Sequence, residues 1–308
     1  MKSERIIHGP SLNTLPLMPA WVTSARGETL EDVAFLSGAA LSHLHLVLGG
    51  DDAPQALLRE RLALRAAETC VAHSGRVERA GELRDALAFL QPGDQPGPAG
   101  GTYLSWRRAV ERPVSVKALH RALPNLEPDQ IATWLNGCDP RDGCGRRGAG
   151  QGTPVFRAAF VLKAVLDDNP RAHTTAMIFA DAALAQSLGW SHILPFLTLG
   201  LKRRDLHSPG EELRMACHRA IVSAASEVDR EVVDLARRAA RLQDVTSKLR
   251  AKGAEEAVKM FLTRDTVAPT SLTSLRSDRA ARRFCDRLVE LGAVRELTGR
   301  ETFRLYGV

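Results

Sequence analysis

From Thr29 to about Lys252, apolar residues recur at helical spacing in run after run. The runs are punctuated by glycine and proline clusters. A chain patterned this way folds as packed helices, because strands need period-two alternation and β-branched or aromatic residues. Aromatics make up only 5% of the chain, while Ala, Leu and Arg, all good helix formers, are abundant. The expected fold class is mainly α.

The first helix opens at Thr29, an N-cap residue before Leu30-Glu31-Asp32, and closes at Gly49-Gly50. Further helices are expected over Ala53–His73, Val77–Leu90, Tyr103–Arg112, Ser115–Leu123 and Glu127–Asn136. More follow over Pro154–Leu166, Arg171–Leu188, Ile193–Leu199 and Glu211–Lys252, the last as one or two helices. Breakers interrupt them at QPGDQPGPAGG (91–101) and GCDPRDGCGRRGAGQG (137–152). Residues 1–27, with Pro10, Pro16 and Pro19, read as an irregular lead-in. Residues 28–252 read as a multi-helix bundle and 253–308 as a separate C-terminal unit.

No stretch approaches the ~18 apolar residues of a membrane span, and the N-terminus lacks a signal-peptide core. A soluble cytoplasmic protein is expected, with no membrane partner. Cys70, Cys138, Cys144, Cys217 and Cys285 are scattered and odd in number, which suits free thiols. Cys138 and Cys144 are spaced unlike the common zinc-binding pairs and have no second pair nearby. The glycines around them lack the preceding strand and Gly-Lys-Ser/Thr of a phosphate loop. No metal and no cofactor are expected. His43 and His45 point to different faces of one helix, while Cys70 and His73 could share a face. No catalytic grouping assembles from these residues, and an enzyme is not expected. Trp21, Trp106, Trp134 and Trp190 read as core anchors.

The charge is unevenly placed. Residues 234–308 hold sixteen Lys and Arg against ten Asp and Glu, whereas the preceding 233 residues hold 26 of each. The whole net charge of +6 therefore sits in the tail, the footprint of a polyanion-binding module. Within it, Ala254–Leu262 supplies one amphipathic helix and Thr270–Leu275 a short second one. Ser277-Asp278 then caps a third, Arg279–Leu291, which Gly292 stops. That third helix sets Ala281, Phe284, Cys285, Leu288 and Leu291 on one face, with Arg279, Arg282, Arg283 and Arg287 on the others. Asp278, Asp286 and Glu290 interrupt the basic side. Val294–Leu297 and Thr302–Leu305 follow as strands around a turn at Gly299, with Arg295, Arg300 and Arg304 projecting. The run Arg237, Arg238, Arg241, Lys248, Arg250 and Lys252 reads equally as an extension of the basic surface or as a solvated helix face.

The passage Leu291-Gly292-Ala293-Val294-Arg295-Glu296-Leu297-Thr298-Gly299-Arg300 resembles the helix–glycine–strand–turn segment of bacterial winged-helix regulators and of winged-helix tails on some Fic proteins. The His-Pro-Phe and Gly-Asn motif of Fic catalysis is absent, and His192-Ile193-Leu194-Pro195-Phe196 does not replace it. From about Trp21 onward the chain also resembles a bacterial family known as domain of unknown function 1403. That resemblance rests on Gly93-Asp94-Gln95-Pro96-Gly97-Pro98-Ala99, on Trp106-Arg107-Arg108-Ala109-Val110-Glu111-Arg112-Pro113 and on the C-terminal LTGR–FRLYG. It implies no activity.

Together these readings lead to a DNA-binding protein, in the manner of a regulator. It would contact duplex DNA through Ser277, Arg279, Arg282, Arg283, Arg287, Arg295, Arg300 and Arg304 of a C-terminal winged helix-turn-helix. The alternative is an interaction or adaptor protein. Its helical body would bind a protein partner or a second copy, with the winged helix as a docking module. A pocket uniting His43, His45, Cys70 and His73 would instead point to a helical enzyme.

Overall fold

The computed structural model describes residues 17–50, 53–91, 93–136, 152–246, 248–249 and 251–308. The described residues form thirteen α-helices and two very short strands. After α1 (Ala20–Ser24) come α2 (Leu30–Leu48), α3 (Gln55–His73), α4 (Ala80–Ala88), α5 (Gly97–Glu111), α6 (Val116–Ala122) and α7 (Pro128–Asn136). Then follow α8 (Pro154–Asp168), α9 (His173–Ser187), α10 (Phe196–Gly200), α11 (Gly210–Thr246), α12 (Ala254–Phe261) and α13 (Asp278–Glu290). None of the described helices is long and apolar enough to cross a membrane.

Local chemistry sets many of the boundaries. Thr29 accepts from the Asp32 amide while the Asp32 carboxylate accepts from the Thr29 amide, a reciprocal cap at the expected start of α2. Ser115 and Thr153 cap α6 and α8 in the same side-chain-to-backbone manner. Two expectations for this part of the chain need correction. The lead-in is not wholly irregular, because Ala20–Ser24 is helical. The first breaker also ends early. Helix α5 begins at Gly97, and Pro98 fits its first turn because an amide there has no intrahelical acceptor. The segment 211–252 resolves into one 37-residue helix, α11, ending at Thr246. Cys138, Cys144 and the second breaker up to Gln151 lie outside the described residues, as does Arg250.

Helix α9 is the centre of the body. Ala176 to Ala185 are all buried, Asp181 included. A helix apolar on every side must be enclosed, and α8, α10, α7, α3 and α5 enclose it. Asp181 earns its place by capping α10, where its carboxylate accepts from the amides of Leu197 (2.8 Å) and Thr198 (3.2 Å) and from the Thr198 hydroxyl (2.6 Å). Burial pushes this carboxyl up to about 7, against the downward pull of those hydrogen bonds. Helix α11 packs along α2 and α10, and its C-terminal end meets α12. One hydrophobic core runs without a break from Val22 to Val308, so body and tail share it. Trp106 and Trp134 are buried in that core, whereas Trp21 is 47% exposed and stacks on Phe35.

Candidate functional site

The tail is built around α13. Its buried face is Ala281, Phe284, Cys285 and Leu288. The Ser277 hydroxyl accepts from the Ala280 amide (3.3 Å) and caps the N-terminus. At the other end Gly292 takes φ +63. Its amide reaches the Val289 carbonyl (2.8 Å) and the Ala293 amide reaches the Leu288 carbonyl (2.9 Å). This is the glycine-terminated helix end in which two orphan carbonyls are satisfied at once.

With that face buried, Arg279, Arg282 and Arg283 are exposed on the opposite side. Among the described residues their side chains have no ion-pair or hydrogen-bond partner, and neither does Arg276, two residues before the helix. Arg276 is missed by the sequence pattern, because it precedes the helical run that singles out the others. These four cations occupy the N-terminal half of the segment, together with the exposed carboxylate of Asp278. Asp286 and Glu290 lie in the C-terminal half, where Arg287 pairs with Glu290 (2.9 Å).

The remaining expected contacts are placed differently. Arg300 is bidentate to Asp85 of α4 (2.9 and 2.8 Å) and lies 5.0 Å over the Phe89 ring. Arg304 donates to the Arg300 carbonyl (2.9 Å) and stands 3.9 Å from Asp286. Arg295 is exposed, and its pKa is lowered by partial burial and by nearby Arg238 and Arg61. On α11, Arg237 and Arg238 pair with Asp234, and Arg241 donates to the Leu291 carbonyl (3.0 Å) at the end of α13. That part of the basic run is tied within the protein.

Three expectations about the tail are corrected. The short helix at Thr270–Leu275 is a single 3-10 turn at Pro269–Ser271. The strands are Arg295–Glu296 (β1) and Tyr306–Gly307 (β2), antiparallel with Arg295 opposite Gly307 and Glu296 opposite Tyr306. Thr302–Leu305 is therefore not the second strand. Phe303 adopts φ +53, which breaks the extended backbone and the pleat. The result is an exposed Phe303 followed by buried Leu305 and Tyr306. The turn between the strands is organised by Glu296, whose carboxylate accepts from the amides of Thr298 (2.7 Å) and Gly299 (3.0 Å).

A buried charge network fastens the tail to the body. Asp265 is fully buried and accepts from Arg61 of α3 (2.9 Å) and from both Nε and Nη2 of Arg84 of α4 (2.6 and 3.1 Å). Arg61 also reaches Glu231 of α11 (3.0 Å) and the Val308 main-chain oxygen. Beside it, Glu60, 7% exposed, accepts from Arg107 (2.9 Å) and from Arg264 of the tail (3.1 Å). Burial works against the Arg84 charge, but Asp265 outweighs it and raises the Arg84 pKa. Sequence offers no sign of this cluster, since its members are scattered among ordinary helix-surface positions.

The body's histidines and cysteines do not converge. His43 pairs with Asp229 (2.8 Å), His45 accepts from the Trp190 indole (2.9 Å), and the Cys70 sulfur accepts from the Trp106 indole (3.3 Å). Burial pushes the Cys70 thiol up to about 12, so it is no nucleophile. His173 sits edge-on to His207 (ring centroids 5.8 Å apart) and its charge acts on His73, and the pKa of His73 and of His173 is lowered chiefly by burial. No group of three or more metal-ligating side chains among the described residues could hold a metal. A body cavity of about 720 Å³ lies instead between α2, α8 and α11. Ser37 and His218 (2.6 Å apart) line it together with Arg214 and Phe156.

None of the curated proteins matches the chain. The family described as "Protein of unknown function (DUF1403)" matches residues 8–308, spanning body and tail together. The unbroken core and the charge network joining body to tail agree with that extent, and the chain belongs to this family.

Proposed function

We propose that the protein binds duplex DNA and that its tail is a winged helix-turn-helix with α13 as the recognition helix. The carrying observation is the set of free arginines. Arg276, Arg279, Arg282 and Arg283 are exposed with no partner among the described residues, as are Lys248, Lys252, Lys259 and Arg295, but these four cluster around one helix N-terminus. A cation in the first helical turn opposes the helix dipole, a cost of about 0.3–1 kcal/mol. Arg279 therefore gains nothing from the helix dipole. In helix-turn-helix proteins the N-terminal residues of the recognition helix meet the base edges, and arginine forks fit guanine and phosphate alike. The winged-helix reading draws on chain order: helix α12, an isolated bridge at Val267, the 3-10 turn, α13, then β1 and β2. Val267 and β1 both pair with Tyr306, which sets three extended segments side by side. Ser277 and Arg295 complete the contact surface. Arg300 and Arg304 hold the turn in place, and Arg287 is neutralised by Glu290.

Fluorescence anisotropy with a labelled duplex at two salt concentrations tests this. Affinity is expected to fall roughly 40-fold between 50 and 200 mM salt if three phosphates are contacted. The triple variant R279A/R282A/R283A is expected to lose binding, and full affinity in that variant would overturn the assignment.

One observation favours a second reading, an interaction protein working through the body. The outer side of α2 exposes Phe35 (66%), which stacks on the exposed Trp21, and, about three turns further along, Leu46 (68%). Exposed apolar side chains along one helix face suit self-association. Sedimentation across a range of concentrations is expected to show a dimer that Phe35→Glu dissociates. A monomer at all concentrations removes this reading.

A further inference from the structure

Between the β1–β2 turn, α13, the 3-10 turn and the end of α4 lies a cavity of about 590 Å³, the size of a small-ligand site. Its walls combine the rings of Phe89, Phe303 and Tyr306 with the guanidinium groups of Arg282 and Arg304. Two features separate it from an ordinary surface cleft. Phe303 sits at φ +53, a conformation that bulky side chains avoid. That strained backbone leaves the ring 72% exposed, edge-on to Phe89 at 5.5 Å. The strain is not offset by burying the ring, and strain of this kind gathers at ligand-binding positions. Secondly, Arg282 has no counter-ion among the described residues, and Arg304, whose Nε donates to the Arg300 carbonyl (2.9 Å), has its nearest carboxylate 3.9 Å away.

We propose that this cavity binds a nucleotide, with the base against the Phe303 and Phe89 rings and the phosphate held by Arg282 and Arg304. Aromatic rings stack on any base, and guanidinium forks match phosphate oxygens. Asp286 and Glu301 line the same cavity. One Asp286 oxygen already accepts from the Tyr306 hydroxyl (3.3 Å). These carboxylates select a base bearing an exocyclic amine, and a single phosphate rather than a polyphosphate. The nucleotide has two possible sources: an unpaired end of a nucleic acid, which rests on the DNA-binding reading above, or a free nucleotide, which does not.

The full-length chain is titrated with a blunt duplex, with the same duplex carrying a 3′ adenine overhang labelled with 2-aminopurine, and with AMP and UMP. The overhang is expected to bind about tenfold tighter than the blunt end, the yield of one stacked base, with quenching of 2-aminopurine. Phe303→Gly relieves the backbone strain, so its Tm is expected to hold while the overhang preference and quenching vanish; Phe303→Tyr is expected to keep both. Blunt and overhang duplexes bound equally, with no AMP binding, overturn the pocket and leave the DNA reading intact. AMP bound in preference to UMP, lost in Phe303→Gly, with no duplex bound, supports the free-nucleotide source and removes the DNA reading. No binding to any of these probes overturns both.

Discussion

At the scale of the residue, the tail's arginines divide by what faces them. Arg300 and Arg264 are neutralised by carboxylates of the body, Asp85 and Glu60, while Arg279, Arg282 and Arg283 face solvent. Sequence spacing identifies the arginines but not this division, because Asp85 stands 215 positions from Arg300. Asp181 is the residue whose environment is most measurable. Its carboxyl is raised from 3.8 to about 7 by burial. Between those values the folded chain holds a proton that the unfolded chain has released. Stability therefore declines as pH rises through this window, by up to about 1.4 kcal/mol per pH unit, and is flat with respect to this group above it. Asp181→Asn is expected to remove that decline. Urea denaturation of both proteins at pH 5 and pH 8 checks it, and an unchanged pH dependence in the variant refutes the assignment.

Among the elements, those defined by neighbours in sequence were the legible ones. The caps of α2, α6 and α13 and the glycine end of α13 each involve residues a few positions apart, and each lies where the pattern of Thr29, Ser115, Ser277 and Gly292 puts it. Elements defined by distant partners were not. The strand at Tyr306–Gly307 exists because Tyr306 pairs with both Glu296 and Val267, and no alternation in Thr302–Leu305 reveals that. Gly253 shows how a single residue can govern an element. It precedes α12 at φ +89, and a Cβ there would lie 2.2 Å from the Ser274 carbonyl oxygen. Gly253→Ala is expected to destabilise the protein by more than 1 kcal/mol, roughly the cost of an Ala at an unsuitable positive φ, because the backbone contact cannot yield. Thermal denaturation measures it, and an unchanged Tm would show that the segment shifts freely.

For the whole molecule, body and tail share one core, and Asp265 is the key group joining them. Removing it leaves Arg61 and Arg84 partly buried without their shared counter-charge, a loss of about 3–5 kcal/mol for breaking a buried pair. Asp265→Ala is therefore expected to lower the unfolding midpoint of the entire chain. All four tryptophans belong to the body, so their fluorescence follows the body while far-UV circular dichroism follows every helix. The two probes are expected to give coincident transitions in the native protein. Separate transitions would show that the tail unfolds on its own.

The amino-acid sequence by itself determined the helical class, most helix starts and stops, and the concentration of positive charge in the last quarter of the chain. These follow from interactions between residues three or four apart and from composition, which are local. Only the tertiary structure decided which arginines stay free, where the second strand lies and how Asp265 locks the tail to α3 and α4. Those outcomes depend on groups brought together from up to 247 positions apart. Whether a charge is spent inside the protein or left for a partner is set by packing, and packing is not periodic in sequence.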